Sequence, residues 1–329
     1  MKALLLTVLV AIPQIATACD IDADVRGLVA PDQPADGQKL KVAVGEFKYE
    51  GNVPGDFGEY IASRLGTVLS GVSGVEQVAR KELKAVLEEQ ALTLTGAVEE
   101  RAASKTGRIK GVDSLLAGDY WERGDTVEVN LVIMNVETGV KRSVRTCLMK
   151  ADVPASVAMA PKNYKDTVDA LRLWGREAGK SKELMTQLWM DSPTGVYHKG
   201  ESIVIRFVAN RDCFVRIYHT DSSGSMQMLF PNAYVTDNKI PANRVCSIPD
   251  QTMSFAFDVS EPYGAEMLRL VASTEQFRDQ DDAALKPGEK FKSLGTSSPR
   301  SIRAVTRGIK LTPVQVRTDS SCVFTTAEK

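Results

Sequence analysis

GVDSLLAGDYWERGDTVEVNLVIMNVETG, Gly111 to Gly139, is the stretch that decides the fold. Val127, Val129, Leu131 and Ile133 alternate with Glu128 and Asn130, a period of two that turns one strand face to a core and the other to water. Arg123-Gly124-Asp125 and Glu137-Thr138-Gly139 punctuate the run as hairpin turns. VDSLLAGDYW, DTVEVNLVIMNVETG and the following VKRSVRTCLM are therefore expected as three strands of an antiparallel meander.

Upstream, KLKVAVGEF (Lys39 to Phe47) is a nearly continuous apolar run, suited to a strand covered on both faces. Asp56 with Glu59 three residues later reads as a capping box opening a helix. Phe57, Ile61, Leu65, Val68 and Val72 form its apolar stripe, and Gly71 and Gly74 bracket its end. GVEQVAR is a short strand, followed by expected helices through Leu83, Val86, Leu87 and Gln90 and around Ala97 to Lys105. Strand, helix, strand, helices and meander make residues 39–150 a mixed α/β layer domain.

Downstream, residues 151–193 read as a helical connection. Pro154 and Pro161 open it, Tyr164, Val168, Leu171 and Trp174 recur at helical spacing, and Leu184, Leu188 and Trp189 continue the pattern. Such a stripe must be covered, either by the first sheet or by an oligomer contact. Residues 194–329 are rich in short strands with turn punctuation, including an Asp-Ser-Ser-Gly turn at Asp221 to Gly224, and are expected to form a β-sandwich. A last strand within Pro313 to Thr326 returns to it. The fold class is α+β.

A chain of 329 residues exceeds what one core fills efficiently, so two folded domains are expected. Its formal net charge of −1 creates no field that would gather nucleic acid. Lys2, the apolar run Ala3 to Ile12, Pro13 and the A-x-A site Ala16-Thr17-Ala18 form an export signal over residues 1–18. Residues 19–38, rich in Asp, Pro, Gly and Ala, read as a flexible tether. Asp20, Asp22 and Asp24 begin like a calcium loop, but Val25 and Pro31 stand where glycine and glutamate are required. Cys19, first after cleavage, is a candidate lipidation site, although Ala16 stands where a lipobox has Leu; a bare Cys19 is the alternative. Cys147, Cys213, Cys246 and Cys322 form an even set in an exported chain, with three pairings open. Cys213 with Cys246 and Cys147 with Cys322 is one of them, and buried free thiols are the other reading.

KVAVGEF, the R-x-x-L-x-x-V-L-x-E-Q run of Arg80 to Gln90, GVD-x-L-L-A-G of Gly111 to Gly118 and V-x-V-x-L-x-I-x-N-V-E-T-G ending at Gly139 occur in an order that resembles a family of envelope proteins. That family comprises curli-secretion lipoproteins, FlgO-type flagellar lipoproteins, penicillin-binding-protein activator lipoproteins and the TolB amino-terminal domain. The resemblance implies envelope assembly through contacts with other envelope proteins, without catalysis. The amphipathic hairpins of a curli-type pore are not found between these elements, since no extra alternating segments of about 10 residues occur there. The second half resembles a bacterial domain family of unknown function, carried by LFPN (Leu229 to Asn232), IPAN (Ile240 to Asn243), SIPD (Ser247 to Asp250) and EPYGAE (Glu261 to Glu266).

No chemistry is legible. His219, Asp221, Ser222 and Ser223 hold the letters of a triad, but adjacency does not make facing side chains, and no G-x-S-x-G elbow exists. Two histidines and no C-x-x-C pair give no metal site, and no glycine loop matches a nucleotide cradle. No catalytic, cofactor or metal residue is assigned. Phe230, Tyr234 and Tyr263 are the candidate recognition surface, if the loop after Phe230 lies over an open end of the sandwich. The expected function is a non-enzymatic exported scaffold or interaction module of a bacterial envelope machine, of secretion, flagellar or cell-wall type. It would be periplasmic or anchored through a lipid on Cys19, with envelope proteins or a second copy as partners. The alternative is a periplasmic hydrolase or ligand-binding enzyme with a site between the two domains.

Overall fold

The computed structural model describes residues 19–79, 111–177, 183–192, 194–277, 290–296 and 316–328. The export signal, the two helices expected between Leu83 and Lys105 and the charged run beyond Arg278 lie outside the described residues.

Among the described residues, the first part is one mixed sheet with two helices packed against it. Strands β1 (Leu40–Tyr49), β2 (Val53–Pro54), β3 (Val75–Val78), β4 (Ser114–Arg123), β5 (Thr126–Asn135) and β6 (Lys141–Met149) run in the order β2-β1-β4-β5-β6, with β3 parallel to β1. The meander β4-β5-β6 is antiparallel, with Val129 opposite Tyr120 and Thr146, and it turns at Gly124 (φ +57°) and Gly139 (φ +69°). In β5, Val127, Val129, Leu131 and Ile133 are buried, the alternation expected from the sequence. β1 is covered on both faces: Val42 and Val44 enter the main core, whereas Ala43 joins Val78 and Val112 on the opposite side.

Helix α1 (Ile21–Val29) and helix α2 (Asp56–Ser70) cover the main core. α1 corrects the flexible tether expected for residues 19–38. Ile21, Val25, Leu28 and Val29 recur on one helical face and are all buried, and the Asp20 side chain accepts from the Ala23 amide as N-cap. Arg64 with Asp22, and Arg142 with Asp32 and the Leu28 carbonyl, fasten the segment. α2 buries Phe57, Ile61, Leu65 and Leu69, but the expected capping box does not form: Gly55 is the N-cap and Asp56 lies inside the first turn. A bulge in the β1/β4 pairing between Val44 and Phe47 sets the Phe47 ring against Gly118 and its carbonyl against Gly58. A Cβ on Gly118 would stand 2.1 Å from the Asn130 carbonyl oxygen, and one on Gly58 would stand 2.0 Å from that of Phe47. Glycine is required at both points by close approach.

Helix α3 (Tyr164–Glu177) straddles the two parts. Tyr164 meets Tyr49 edge-on at 4.8 Å in the first core, while Ala170 and Leu171 pack with Met226 and Met267 of the second part. The helix thus covers more than the first sheet. The expected helical continuation through Leu184, Leu188 and Trp189 is corrected: Thr186–Met190 is strand β7, paired antiparallel with β10 (Ile205–Ala209).

The second part is built from three sheets around one core. The largest has the order β17-β12-β11-β16-β18-β8, from Lys292–Thr296, Ser225–Phe230, Cys213–Thr220, Gly264–Ser273, Arg317–Ala327 and Val196–His198, with β13 (Lys239–Ile240) also on β11. A second joins β14 (Cys246–Ile248), β10 and β7, and a third joins β15 (Phe257–Asp258) with β9 (Ser202–Ile203). Leu188, Phe207 and Ile248 of the three-stranded sheet share a core with Ile217, Leu270 and Phe324 of the largest. Mixed α/β structure followed by β-rich structure gives the α+β class.

The parts are joined by buried polar contacts. Thr325 Oγ1 donates to the Pro54 carbonyl at 2.6 Å, and Thr194 Oγ1 to Glu59 Oε1 at 2.6 Å. The Asn163 side chain both donates to the Ala265 carbonyl at 2.9 Å and accepts from the Ala265 amide at 3.0 Å. Among the described residues no helix is long and apolar enough to cross a membrane.

Candidate functional site

The residues singled out from the sequence scatter. Cys19, the candidate lipidation site, is bonded to Cys147; a thioether to lipid would need the sulfur that this disulfide occupies. The same bond excludes Cys147 with Cys322, and Cys213, Cys246 and Cys322 are free thiols. The physical reason is α1, which carries Cys19 back onto β6, where Cys147 lies. Burial, then the neighbouring Cys246, pushes the Cys213 thiol up to about 12. Of the candidate recognition surface, Phe230 is a core residue packed 6.3 Å from Phe207, and Tyr263 is half-buried against the same core. Only Tyr234 is exposed, stacked on Phe255 at 5.0 Å. The three do not form one surface.

His219 does not meet Asp221 or a serine. Asp221 Oδ1 accepts from the Ser223 amide and hydroxyl and the Ser225 amide, the pattern of an Asx turn, and Ser222 Oγ donates to the Pro262 carbonyl. The partner of His219 is Glu266, a residue that sequence reasoning missed. Nε2 lies 2.6 Å from Glu266 Oε2, with the side chains 13% and 7% exposed. Thr326 Oγ1 donates to Glu266 Oε1 at 2.6 Å, and Gln227 Nε2 lies 3.2 Å from His219 Nδ1. His219 thus has Glu266 at one ring nitrogen and Gln227 at the other. Phe324 stacks on the ring at 6.0 Å. Both ring nitrogens are engaged and neither faces a nucleophile, so the dyad is built to hold charge and shape.

Neighbouring strands place these groups. His219 on β11 faces Gln227 on β12 and Leu268 on β16 across antiparallel pairs, and Glu266 and Thr326 come from the paired β16 and β18. They line a cavity of about 350 Å³, whose walls also include Ile205, Leu229, Phe257 and Phe291. A second groove, about 440 Å³, lies between the parts. There Glu59 Oε2 is 3.5 Å from His198 Nε2, and Tyr197 donates to Asp191 at 2.6 Å. Glu59 is spent on joining α2 to the second part, and Asp191 and Glu201 bond within the second part. Among the described residues no group of His, Cys, Asp and Glu is arranged to hold a metal.

Residues 31–120 match the family described as Curli production assembly/transport component CsgG, and residues 196–276 match the Domain of unknown function DUF4384. No curated protein matches the chain. Among solved structures, the LpoB C-terminal domain from Salmonella enterica is 17% identical over 38% of this chain and 95% of that one, with a TM-score of 0.27. Lipoprotein GNA1162 from Neisseria meningitidis is 16% identical over 40% of this chain and 94% of its own, at 0.23. A PelC dodecamer from Paraburkholderia phytofirmans is 18% identical over 36% of this chain and 76% of its own, also at 0.23. The chain therefore joins a segment similar to CsgG, a curli production assembly/transport component, to a segment similar to the DUF4384 domain.

Proposed function

We propose that this protein is exported to the bacterial envelope and acts there without enzymatic activity, as a scaffold or interaction module in the assembly or regulation of an envelope machine. The observation that carries the reading is the similarity of residues 31–120 to a family of assembly and transport components. The Cys19–Cys147 bond supports export, because disulfides persist in oxidising compartments. With the Cys19 sulfur so used, we place the protein in the periplasm, held to its machine by protein contacts. Residues 39–150 form the assembly-type domain, now extended by α1, and residues 194–329 form a β-sandwich that presents a second surface. The hydrogen bonds at Thr325, Thr194 and Asn163 support transmission of load between them.

Cross-linking in living cells, followed by purification of the full chain and identification of its partners, tests the proposal. Recovery of envelope proteins or of a second copy is the expected result. Recovery from the cytosol with all cysteines reduced would overturn it. So would a hydrolytic activity abolished by His219→Ala and by Asp221→Ala separately, with folding intact.

A further inference from the structure

The cavity at His219 has a composition that selects its occupant. Its volume of about 350 Å³ lies at the small end of the roughly 300–1,000 Å³ typical of ligand pockets, so it suits a compact molecule. Leu229, Leu268, Phe257, Phe291 and Phe324 give it apolar walls beside a polar lining of similar extent. Glu266, paired with His219, lines it together with Asp221, Asp258 and Glu261, whereas no Lys or Arg does among the described residues. Asp221 and Asp258 are fixed by hydrogen bonds from Ser223 and Ser225 and from Ser202, so the carboxylates keep their places.

Three ligand classes can be compared. An anion meets the buried Glu266 carboxylate, where low polarisability strengthens repulsion, and also the more exposed Asp221, Asp258 and Glu261. A neutral apolar molecule strips water from Glu266 and leaves its charge supported only by the contacts from Thr326 and His219. A protonated amine on an apolar body supplies the missing charge, and the phenylalanine rings attract a cation further. Glu266 retains acceptor capacity for it, since each carboxylate oxygen has two lone pairs and Thr326 and His219 take one apiece.

We propose that this cavity is a binding site for a small cationic amphiphile: a protonated amine carrying an apolar body about the size of one aromatic ring, with Glu266 as counter-ion. His219 and Thr326 hold the carboxylate in position, and Gln227 fixes the imidazole. The site stands apart from the envelope role proposed above.

Ligand-observed NMR titrations of the full chain with 2-phenylethylamine, 2-phenylethanol and 3-phenylpropionate test this directly. The amine is expected to saturate the protein, with the anion at least tenfold weaker, about 1.4 kcal/mol. Glu266→Gln should weaken the amine about tenfold, again about 1.4 kcal/mol, and leave the alcohol unchanged. Ile203→Trp, which fills the space from β9 without touching the Glu266 contacts, should abolish all binding and decides the case if Glu266→Gln does not fold. The assignment is overturned if the anion binds as tightly as the amine, or if Glu266→Gln folds and binds the amine undiminished. It is equally overturned if amine binding survives Ile203→Trp, or if the amine shows no saturation by about 10 mM, a binding free energy weaker than about −3 kcal/mol.

Discussion

Breaking the Cys19–Cys147 bond should cost stability without releasing α1. The bond spans 128 residues of sequence, and the chain-entropy relation for a loop of that length gives a ceiling of about 5 kcal/mol at 25 °C. Measured losses for native disulfides run from about 2 to 5 kcal/mol, so the oxidised protein should exceed the reduced one by an amount in that range. At urea slopes of about 1–3 kcal/mol/M this moves the unfolding midpoint by roughly 1 M or more. The helix should stay docked because Ile21, Val25 and Val29 are almost fully buried, each side chain contributing about 1.5–3 kcal/mol. Urea unfolding followed by circular dichroism, with and without reductant, measures the shift, and Cys147→Ser serves as a control that should be indifferent to reductant. Mass spectrometry after alkylation in denaturant supplies the second readout: three labels before reduction, on Cys213, Cys246 and Cys322, and all five cysteines after it. Four labels before reduction, an acyl mass on Cys19 or coincident urea curves would refute the reasoning.

Gly118→Ala should destabilise the first part by roughly 1–3 kcal/mol or more, since the added methyl meets the Asn130 carbonyl and the Phe47 ring; thermal unfolding of the purified variant reports it. Arg269 Nε and Nη2 lie 2.9 and 2.8 Å from Asp319 Oδ2, with the side chains 1% and 9% exposed, so Arg269→Ala should cost roughly 3–5 kcal/mol by stranding a buried carboxylate. The double change Arg269→Met with Asp319→Leu should recover most of that loss in the same urea assay. Cys213, its thiol raised to about 12 by burial, should resist iodoacetamide at pH 8 in the native state and react at once on unfolding; rapid native labelling at that residue contradicts its placement.

What the sequence disclosed followed the range of the interaction concerned. The meander β4-β5-β6 was legible because alternation and hairpin turns are local, and the Phe57 to Leu69 face of α2 because its stripe spans four turns. α1 had the same kind of signal, Ile21, Val25, Leu28 and Val29, but the aspartates between them drew attention to loop chemistry and hid the period. β7 was misread because Leu188 and Trp189 extend a helical spacing by accident, and only pairing with β10 decides their conformation. Phe230, a recognition-surface candidate only if the loop after it covers an open end of the sandwich, has its ring in the core. The His219–Glu266 pair was beyond local reading altogether: 47 residues separate the partners, and β16 is buried along its whole length, so nothing in GAEMLRLVAS marks its glutamate.

The place of β18 has a consequence for biogenesis. It lies between β16 and β8 in the largest sheet, and β8, though some 120 residues earlier, pairs in that sheet with β18 alone. On the export route proposed above the strands arrive in order, so β16 waits with an open edge and β8 without its β18 partner until residues Arg317–Ala327 follow. The Thr325 contact to Pro54 then closes the junction with the first part in the same event. Arrival of β18 is thereby coupled to burial of the β16 edge, so a folding intermediate that lacks β18 presents β16 to any chaperone or protease that reads unpaired strands.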